Sequence, residues 1–363
     1  MNELKERART VAVFGAYGHT GRFVVAELLA RGFVPVLVGR DQAKLDALAA
    51  EHPGLAARQG AADDAASLDR ALSGADAVIN AAGPFAGTGG PVTEAALRAG
   101  IPYVDVAAEI EANLDTFARF GDRAREAGTV VLPAMAFFGG LGDLLATAAI
   151  DGWKGAGDWS GGDEVHVAYG LDSWHPTSGT RAAGEVSRRR RGGRHLRFTG
   201  GRLTHHDDEL RTRKWAFPEP TGVREVFGEF TMADVVTVPS HLDVPEVRTY
   251  MAVEAARDLS SPDTPAPVAA DEHGRSAQSF VVDVAVVSGS RERSAVASGR
   301  DIYAVSAPLA VEAVHRILTG RIRTTGVASA GALFDARDFL RALAPHVTVE
   351  FHDRSVPSRL GGA

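Results

Sequence analysis

At 363 residues the chain is long enough for two cores of ordinary size and too short for three, so two domains are expected. Apolar residues make up 45% and charged residues 23%, which places it among folded globular proteins and excludes disordered, collagen-like and coiled-coil classes. No cysteine is present, which removes disulfides, thiolate metal sites and cysteine nucleophiles, and a net charge of −7 speaks against a general nucleic-acid binder.

The charged start, Met1 to Arg7, runs into a strand without an apolar stretch, and no run of about eighteen apolar residues follows. Neither a secretory signal nor a membrane span is expected, and a cytoplasmic location is. The first 150 residues then alternate short apolar strands with helical patterns. Thr10 to Phe14 reads as a buried strand, followed by glycines and a helix through Phe23, Val24, Leu28 and Leu29 that stops at Gly32. Val34 to Val38 is a second strand, and Asp41 caps a helix through Lys44, Leu45 and Leu48. Further strands are read at Asp76 to Asn80, Tyr103 to Val106 and Thr129 to Leu132. This alternation implies a doubly wound parallel sheet of the Rossmann kind.

Past the polar, glycine-rich stretch from Asp151 to Asp158 the pattern changes. Glu164 to Tyr169, Leu196 to Phe198, Thr249 to Val253 and Phe280 to Val286 are strand-like runs separated by turns, as in an α+β domain with a mostly antiparallel sheet. Helical patterns follow from Ala307 to Leu318 and from Leu333 to Leu343. The expected division is a nucleotide domain over 1–150, a substrate and dimerisation domain over 151–305, and C-terminal helices over 306–363 that pack back on the first domain. A homodimer is the expected assembly.

The chemistry-bearing residues begin at Gly15-Ala16-Tyr17-Gly18-His19-Thr20-Gly21, between a predicted strand and a predicted helix. Glycines there let backbone N–H groups approach a pyrophosphate that the helix N-terminus favours. At the end of the second strand, where an NAD site carries an acid for the ribose 2′-hydroxyl, stands Arg40. A guanidinium at that place suits a 2′-phosphate, which favours NADP, while the adjacent Asp41 leaves NAD as the lesser alternative. Asn80-Ala81-Ala82-Gly83-Pro84 ends another strand with residues small enough for a cofactor to cross, so Asn80, Ala81, Gly83 and Pro84 join the candidate contacts.

These motifs, together with Lys44-Leu45 and Tyr103-Val104-Asp105 with Glu109, stand in the order seen in the saccharopine dehydrogenase-like NADP-binding family, which the sequence resembles over residues 10–145. That family includes saccharopine reductases and trans-acting enoyl reductases. Beyond it the likeness is carried by Ser178-Gly179-Thr180 and Gly326-Val327. The resemblance implies a Rossmann domain, an antiparallel-sheet domain and NADPH-dependent reduction of a C=N or C=C bond. Two stretches depart from the pattern: Phe137 to Asp143, where the enoyl-reductase branch has a Pro-Ser-Asp-type turn, and the basic insert described next.

Between Arg181 and Lys214 eleven basic residues face four acidic ones, a local +7 that leaves −14 for the rest. Its run Arg188 to Arg191 reads as a solvated face or a partner contact, with an anionic or carrier-bound substrate as the alternative. His205-His206-Asp207-Asp208 does not read as a metal site, since adjacent side chains on a strand point to opposite faces, and no metal is expected. Among four lysines none lies in an apolar segment, and no tyrosine is followed by lysine four positions on. The catalytic candidates are therefore Tyr103, Asp105 and Glu109, at the carboxyl end of a parallel strand or just past it, and His175 in the Trp174 to Arg181 stretch. A small molecule is the expected substrate. A regulatory protein that senses NADP(H) without turnover is the alternative of another class.

Overall fold

The computed structural model describes residues 8–154, 164–289 and 291–355. The charged start before Ala8 and residues 155–158 of the glycine-rich stretch lie outside the described residues. Strands β1 (Thr10–Phe14), β2 (Val34–Gly39), β3 (Ala56–Gln59), β4 (Ala77–Asn80), β5 (Tyr103–Asp105) and β6 (Val130–Leu132) alternate with α1 (His19–Ala30), α2 (Gln42–Glu51), α3 (Ala65–Leu72), α4 (Phe85–Ala99) and α5 (Ile110–Glu126). The strands run parallel in the order β6-β5-β4-β1-β2-β3. The order reverses between β1 and β4, and the carboxyl ends of those two strands diverge to leave the crevice where such sheets take ligands. β1, β4, β5 and β6 are almost wholly buried, covered on both faces, which is why they read as continuous apolar runs.

A tight turn over Phe137–Leu141 leads into α6 (Gly142–Lys154), which continues through Asp151 to Lys154 where a polar linker is expected from the sequence. Gly139 takes φ +95° in that turn, and a Cβ there would stand 3.0 Å from the Cβ atoms of Ala134 and Ala233. The second sheet follows with β7 (Glu164–Leu171), α7 (Ser178–Arg190), β8 (His195–Thr199), β9 (Arg202–His206), β10 (Thr212–Ala216), β11 (Val223–Gly228), α8 (Asp234–Thr237), β12 (Glu246–Ala252), α9 (Val253–Ser260), β13 (Ser279–Ser288) and β14 (Arg291–Arg300). Last come α10 (Ser306–Leu318), β15 (Gly326–Val327), α11 (Ala330–Leu333), α12 (Ala336–Ala342) and β16 (Val347–Ser355).

The second sheet has the order β10-β11-β12-β7-β13-β14-β16, with the β8–β9 hairpin attached to β12. Its pairings are mostly antiparallel, as the turn-separated runs imply, but β7 and β12 lie parallel, with Val165 beside Val247. The C-terminal stretch is not helical throughout. β15 extends the first sheet beside β6, and β16 closes the edge of the second beside β14. Val347 and Val349 turn toward the core from β16 at alternate positions, the period of a half-buried strand. One continuous core joins the two sheets: Val13 and Leu28, then Leu144 of α6 and Val311 of α10, then Val167 and Val284. On the rim of that core Arg31, just past the end of α1, donates to Glu312 of α10 at 2.5 Å.

Candidate functional site

The β1–α1 turn is held from below by β2: the amides of Gly15 and Ala16 both donate to the carbonyl of Val38, at 2.8 and 3.3 Å. Gly15 has φ +88°, and a Cβ on it would meet the Cβ of Ala82 at 2.8 Å, so the turn and the end of β4 touch through backbone. Gly18 caps α1 in an extended conformation with no side-chain bond to the first turn, and no acidic residue lies in that turn. The helix therefore presents amides and a positive dipole end to an anion. Tyr17 covers Gly39, where a Cβ would stand 2.5 Å from the ring, and its hydroxyl accepts weakly from the amide of Asp41 at 3.4 Å.

Arg40 is exposed at the edge of this crevice and makes no ion pair among the described residues, whereas the carboxylate of Asp41 is taken up as the cap of α2, accepting from the Lys44 amide at 3.1 Å. That division leaves the guanidinium for a 2′-phosphate and gives Asp41 a helix-capping task. Arg40→Asp is expected to weaken NADPH binding about tenfold to a hundredfold while NADH binding changes far less, read by titration of the two nucleotides. Equal loss for both would remove Arg40 from the 2′-phosphate.

From this turn a cavity of about 1020 Å³ runs across the sheet ends toward the second sheet. Gly15, Tyr17, Gly18, His19, Thr20, Arg40, Ala81, Gly83 and Pro84 line it, so most of the cofactor candidates named from sequence are brought together. Gly21 and Asn80 are not on its surface. Gly21 packs on the Gly15 carbonyl, and Asn80 is buried behind the β4 loop, where its Oδ1 accepts from the Ala82 amide at 3.1 Å and its Nδ2 donates to the Tyr103 hydroxyl at 3.1 Å.

The strand-end acids separate. The Tyr103 hydroxyl donates to Asp105 Oδ2 at 2.9 Å, and Asp105 Oδ1 accepts from the amides of Ala107 and Ala134 at 3.0 and 2.8 Å. Both residues are buried and neither reaches the cavity. Burial pushes Asp105 up to about 6 against the pull of its hydrogen-bond donors, and drives the Tyr103 phenol well above its ordinary value. Glu109 does line the cavity. Its two oxygens accept from the amides of Phe85 and Ala86 at 2.6 and 3.2 Å and so cap α4 from another segment of the chain. Burial, with smaller contributions from the charges of Glu111 and Asp105, raises its pKa against those two bonds.

The far wall comes from the second sheet's side. The Trp174 to Thr180 stretch contributes Trp174, Thr177 and Thr180, all tied to one hydroxyl: Tyr303 accepts from Trp174 Nε1 and the Thr177 amide at 3.3 Å each and stands 3.0 Å from Thr180 Oγ1. The Tyr303 hydroxyl also donates to the carbonyl of His175 at 3.2 Å. His175 is thus anchored through its backbone, and its side chain is not among the groups lining the cavity. Tyr303 carries no local sequence signal, because it enters the site from a turn far along the chain. It also packs edge-on against His19, whose burial lowers its pKa and whose Nε2 is buried without a partner among the described residues.

The arginine run does not act as one surface. Arg188 and Arg189 are exposed and pair with Glu185, and Arg190 pairs with Asp115, whereas Arg191 turns inward and lines the cavity beside Ser187. His205 is exposed and His206 buried, as alternation along β9 requires, but the turn after β11 brings Glu229 up to His206. His206, Asp208 and Glu229 bring ligand atoms within 4.8 Å of one another, and Arg197 stands 3.2 Å from Asp208 and 3.3 Å from Glu229 as the cation of that group.

Beneath the cavity wall Asp234 is fully buried, its Oδ2 accepting from the Tyr169 hydroxyl at 2.8 Å and its Oδ1 without a partner among the described residues. Burial, aided by the charge of Asp143, pushes it up to about 7 from an ordinary 3.8. The acid is neutral in the fold over the range where the unfolded chain ionises, so stability is lost as pH rises from about 4 to about 7 and is level above. Across that window the loss is on the order of a few kcal/mol. Asp234→Asn is expected to be more stable relative to wild type at pH 8 than at pH 4, read from denaturant melts. A pH-independent difference would contradict it.

A parallel sheet with a glycine turn, an unobstructed helix N-terminus and a cation at the end of its second strand defines a dinucleotide-binding protein. Residues 11–132 match the family described as the saccharopine dehydrogenase NADP binding domain. That stretch, about a third of the chain, is thus similar to a domain that binds NADP, and NADP is the cofactor. It is 30% identical over 142 residues to a "probable mitochondrial saccharopine dehydrogenase-like oxidoreductase" of Arabidopsis thaliana, 35% of this chain and 31% of that one. The chain thus spans about a third of that relative's length. The fold is similar to that of apo saccharopine dehydrogenase (L-Glu forming) from Saccharomyces cerevisiae, with a TM-score of 0.66 at 14% identity over 95% of this chain and 100% of that one. Among the described residues no helix is long and apolar enough to cross a membrane.

Proposed function

We propose that the protein is an NADP(H)-dependent oxidoreductase that transfers hydride to an electron-poor C=N or C=C bond of a small-molecule or carrier-bound substrate. In this reading residues 1–150 bind the cofactor, 151–305 close the substrate chamber, and 306–363 brace the two. The observation that carries it is the reach of the cavity, which runs from the glycine turn of β1–α1 to a far wall made by Trp174, Thr180 and Tyr303. A sensor of NADP(H) needs no such chamber.

NADPH bound here supplies hydride from its nicotinamide C4. The chain's own residues do the rest: the Gly15 to Gly21 turn and Arg40 would hold the phosphates, and Ala81 to Pro84 would form the floor. Glu109 stands in the chamber with a pKa raised by burial, which favours the protonated form a proton donor needs. Tyr103, Asp105 and Asn80 are positioning residues that fix the β4 and β5 ends from behind. Tyr303 gathers Trp174, Thr177 and Thr180 into a wall that excludes water. The test is loss of nicotinamide absorbance when the NADPH-loaded protein meets a panel of cyclic imines, enones and ketones. Turnover of an imine or an enone supports the reading. Tight NADPH binding with no oxidation by any of them hands the protein to the sensor reading.

A further inference from the structure

The cavity reaches from the β1–α1 turn as far as Arg191 just past the end of α7, where Ile110, Ser187 and His195 also line it. Arg191 Nη1 donates to Ser187 Oγ at 2.9 Å and lies 3.6 Å from Glu111 Oε1, while the Ser187 hydroxyl donates to the other oxygen of Glu111. Its Nε is buried without an acceptor among the described residues, and its Nη2 makes no hydrogen bond there either. A guanidinium is a planar fork of five N–H donors, and here the edge carrying Nε and Nη2 is unused. The complement of such an edge is a carboxylate, which accepts two parallel bonds from it. Glu111 already offsets part of the charge, so the remaining field suits a single negative charge rather than a doubly charged phosphate. His195 lines the same end, with a pKa lowered by burial and by the neighbouring His206 and Arg191, so it offers a neutral N–H donor. The walls on the way are apolar, among them Ile110, Phe230 and Met232.

We propose that Arg191 is the specificity residue of the substrate chamber, and that the preferred substrate carries a carboxylate at the far end of an apolar body. This deepens the oxidoreductase reading and rests on it. The probe is a matched pair, 3-phenylpropanoate and the neutral 3-phenylpropanamide, titrated calorimetrically into the NADP-loaded protein, with phenylphosphonate as a third arm. Wild type is expected to bind the acid at least about tenfold more tightly than the amide. Arg191→Met is expected to erase that preference without changing NADP affinity, and Arg191→Lys to retain part of it. Should Arg191→Met fail to fold because Glu111 loses its partner, Arg191→Lys carries the test, since it keeps the charge and loses the fork. Equal binding of acid and amide, no binding of the acid, or tighter binding of the phosphonate overturns the proposal. Failure of NADP itself to bind overturns instead the reading on which it rests.

Discussion

Gly21→Ala is expected to weaken NADPH binding by more than about a hundredfold and also to lower the melting temperature of the cofactor-free protein. The Cβ it adds would stand 2.1 Å from the carbonyl oxygen of Gly15, 2.9 Å from its carbon and 3.0 Å from the carbonyl oxygen of Ala16. All three are backbone atoms, so no rotamer change relieves the contact and the turn itself must open. Opening it pulls Gly15 and Ala16 off the Val38 carbonyl and away from Ala82, and with them the amides that converge on the pyrophosphate. Gly18→Ala separates the two effects. Its Cβ meets only the Gly15 oxygen, at 3.1 Å, and its backbone is in an ordinary extended conformation. The Gly18→Ala apoprotein should melt close to wild type while its NADPH affinity falls, because the methyl group is added at a residue that lines the cavity. Thermal melts and nucleotide titrations of both variants decide the matter, and wild-type affinity in Gly21→Ala would refute the turn's role.

The nucleotide half of this site is legible in the sequence because its signals are local. A buried strand, a glycine turn and a cation at the next strand end all fall within about forty residues. β3 is not legible that way: Ala56-Ala57-Arg58-Gln59 has no β-branched residue and is a strand because β2 pairs with it, Val36 beside Ala56 and Val38 beside Arg58. β14 is hidden for a similar reason, since its polar first half, Arg291 to Ser294, is stabilised by β13 on one side and β16 on the other. In the site, sequence position gathers Tyr103, Asp105 and Glu109 at one strand end but does not say which way each points. Tyr103 and Asp105 are two apart on β5, hence on one face, where they bond to each other instead of to the cavity. Tyr303 is invisible because its partners lie some 120 residues earlier. Arg191 is concealed inside a run of four arginines, of which only the last, just past the end of α7, rotates toward the chamber.

Glu109→Gln is expected to lower turnover about 10²- to 10⁴-fold while the dissociation constant of NADPH stays within a few-fold of wild type. Glu109 bonds to the first turn of α4, whereas the nucleotide phosphates meet α1, so the two effects are separable. The amide puts one N–H₂ group against the amides of Phe85 or Ala86, donor facing donor, and it cannot deliver a proton at neutral pH. Burial raises the Glu109 pKa above the usual carboxylate value, so the acid keeps its proton to higher pH than an exposed glutamate does. A donor is active when protonated, and so the rate should fall as pH rises through that raised value, a limb that vanishes in Glu109→Gln. The profile also separates proton donation from capping, because a group that only holds Phe85 and Ala86 would lower the rate by the same factor at every pH. His175→Ala serves as the control: it loses a ring that lies off the cavity and should keep most of the activity. If Glu109→Gln turns over at the wild-type rate with an unchanged pH profile, the proton comes from water or from the substrate itself, and Glu109 is left with the helix it caps.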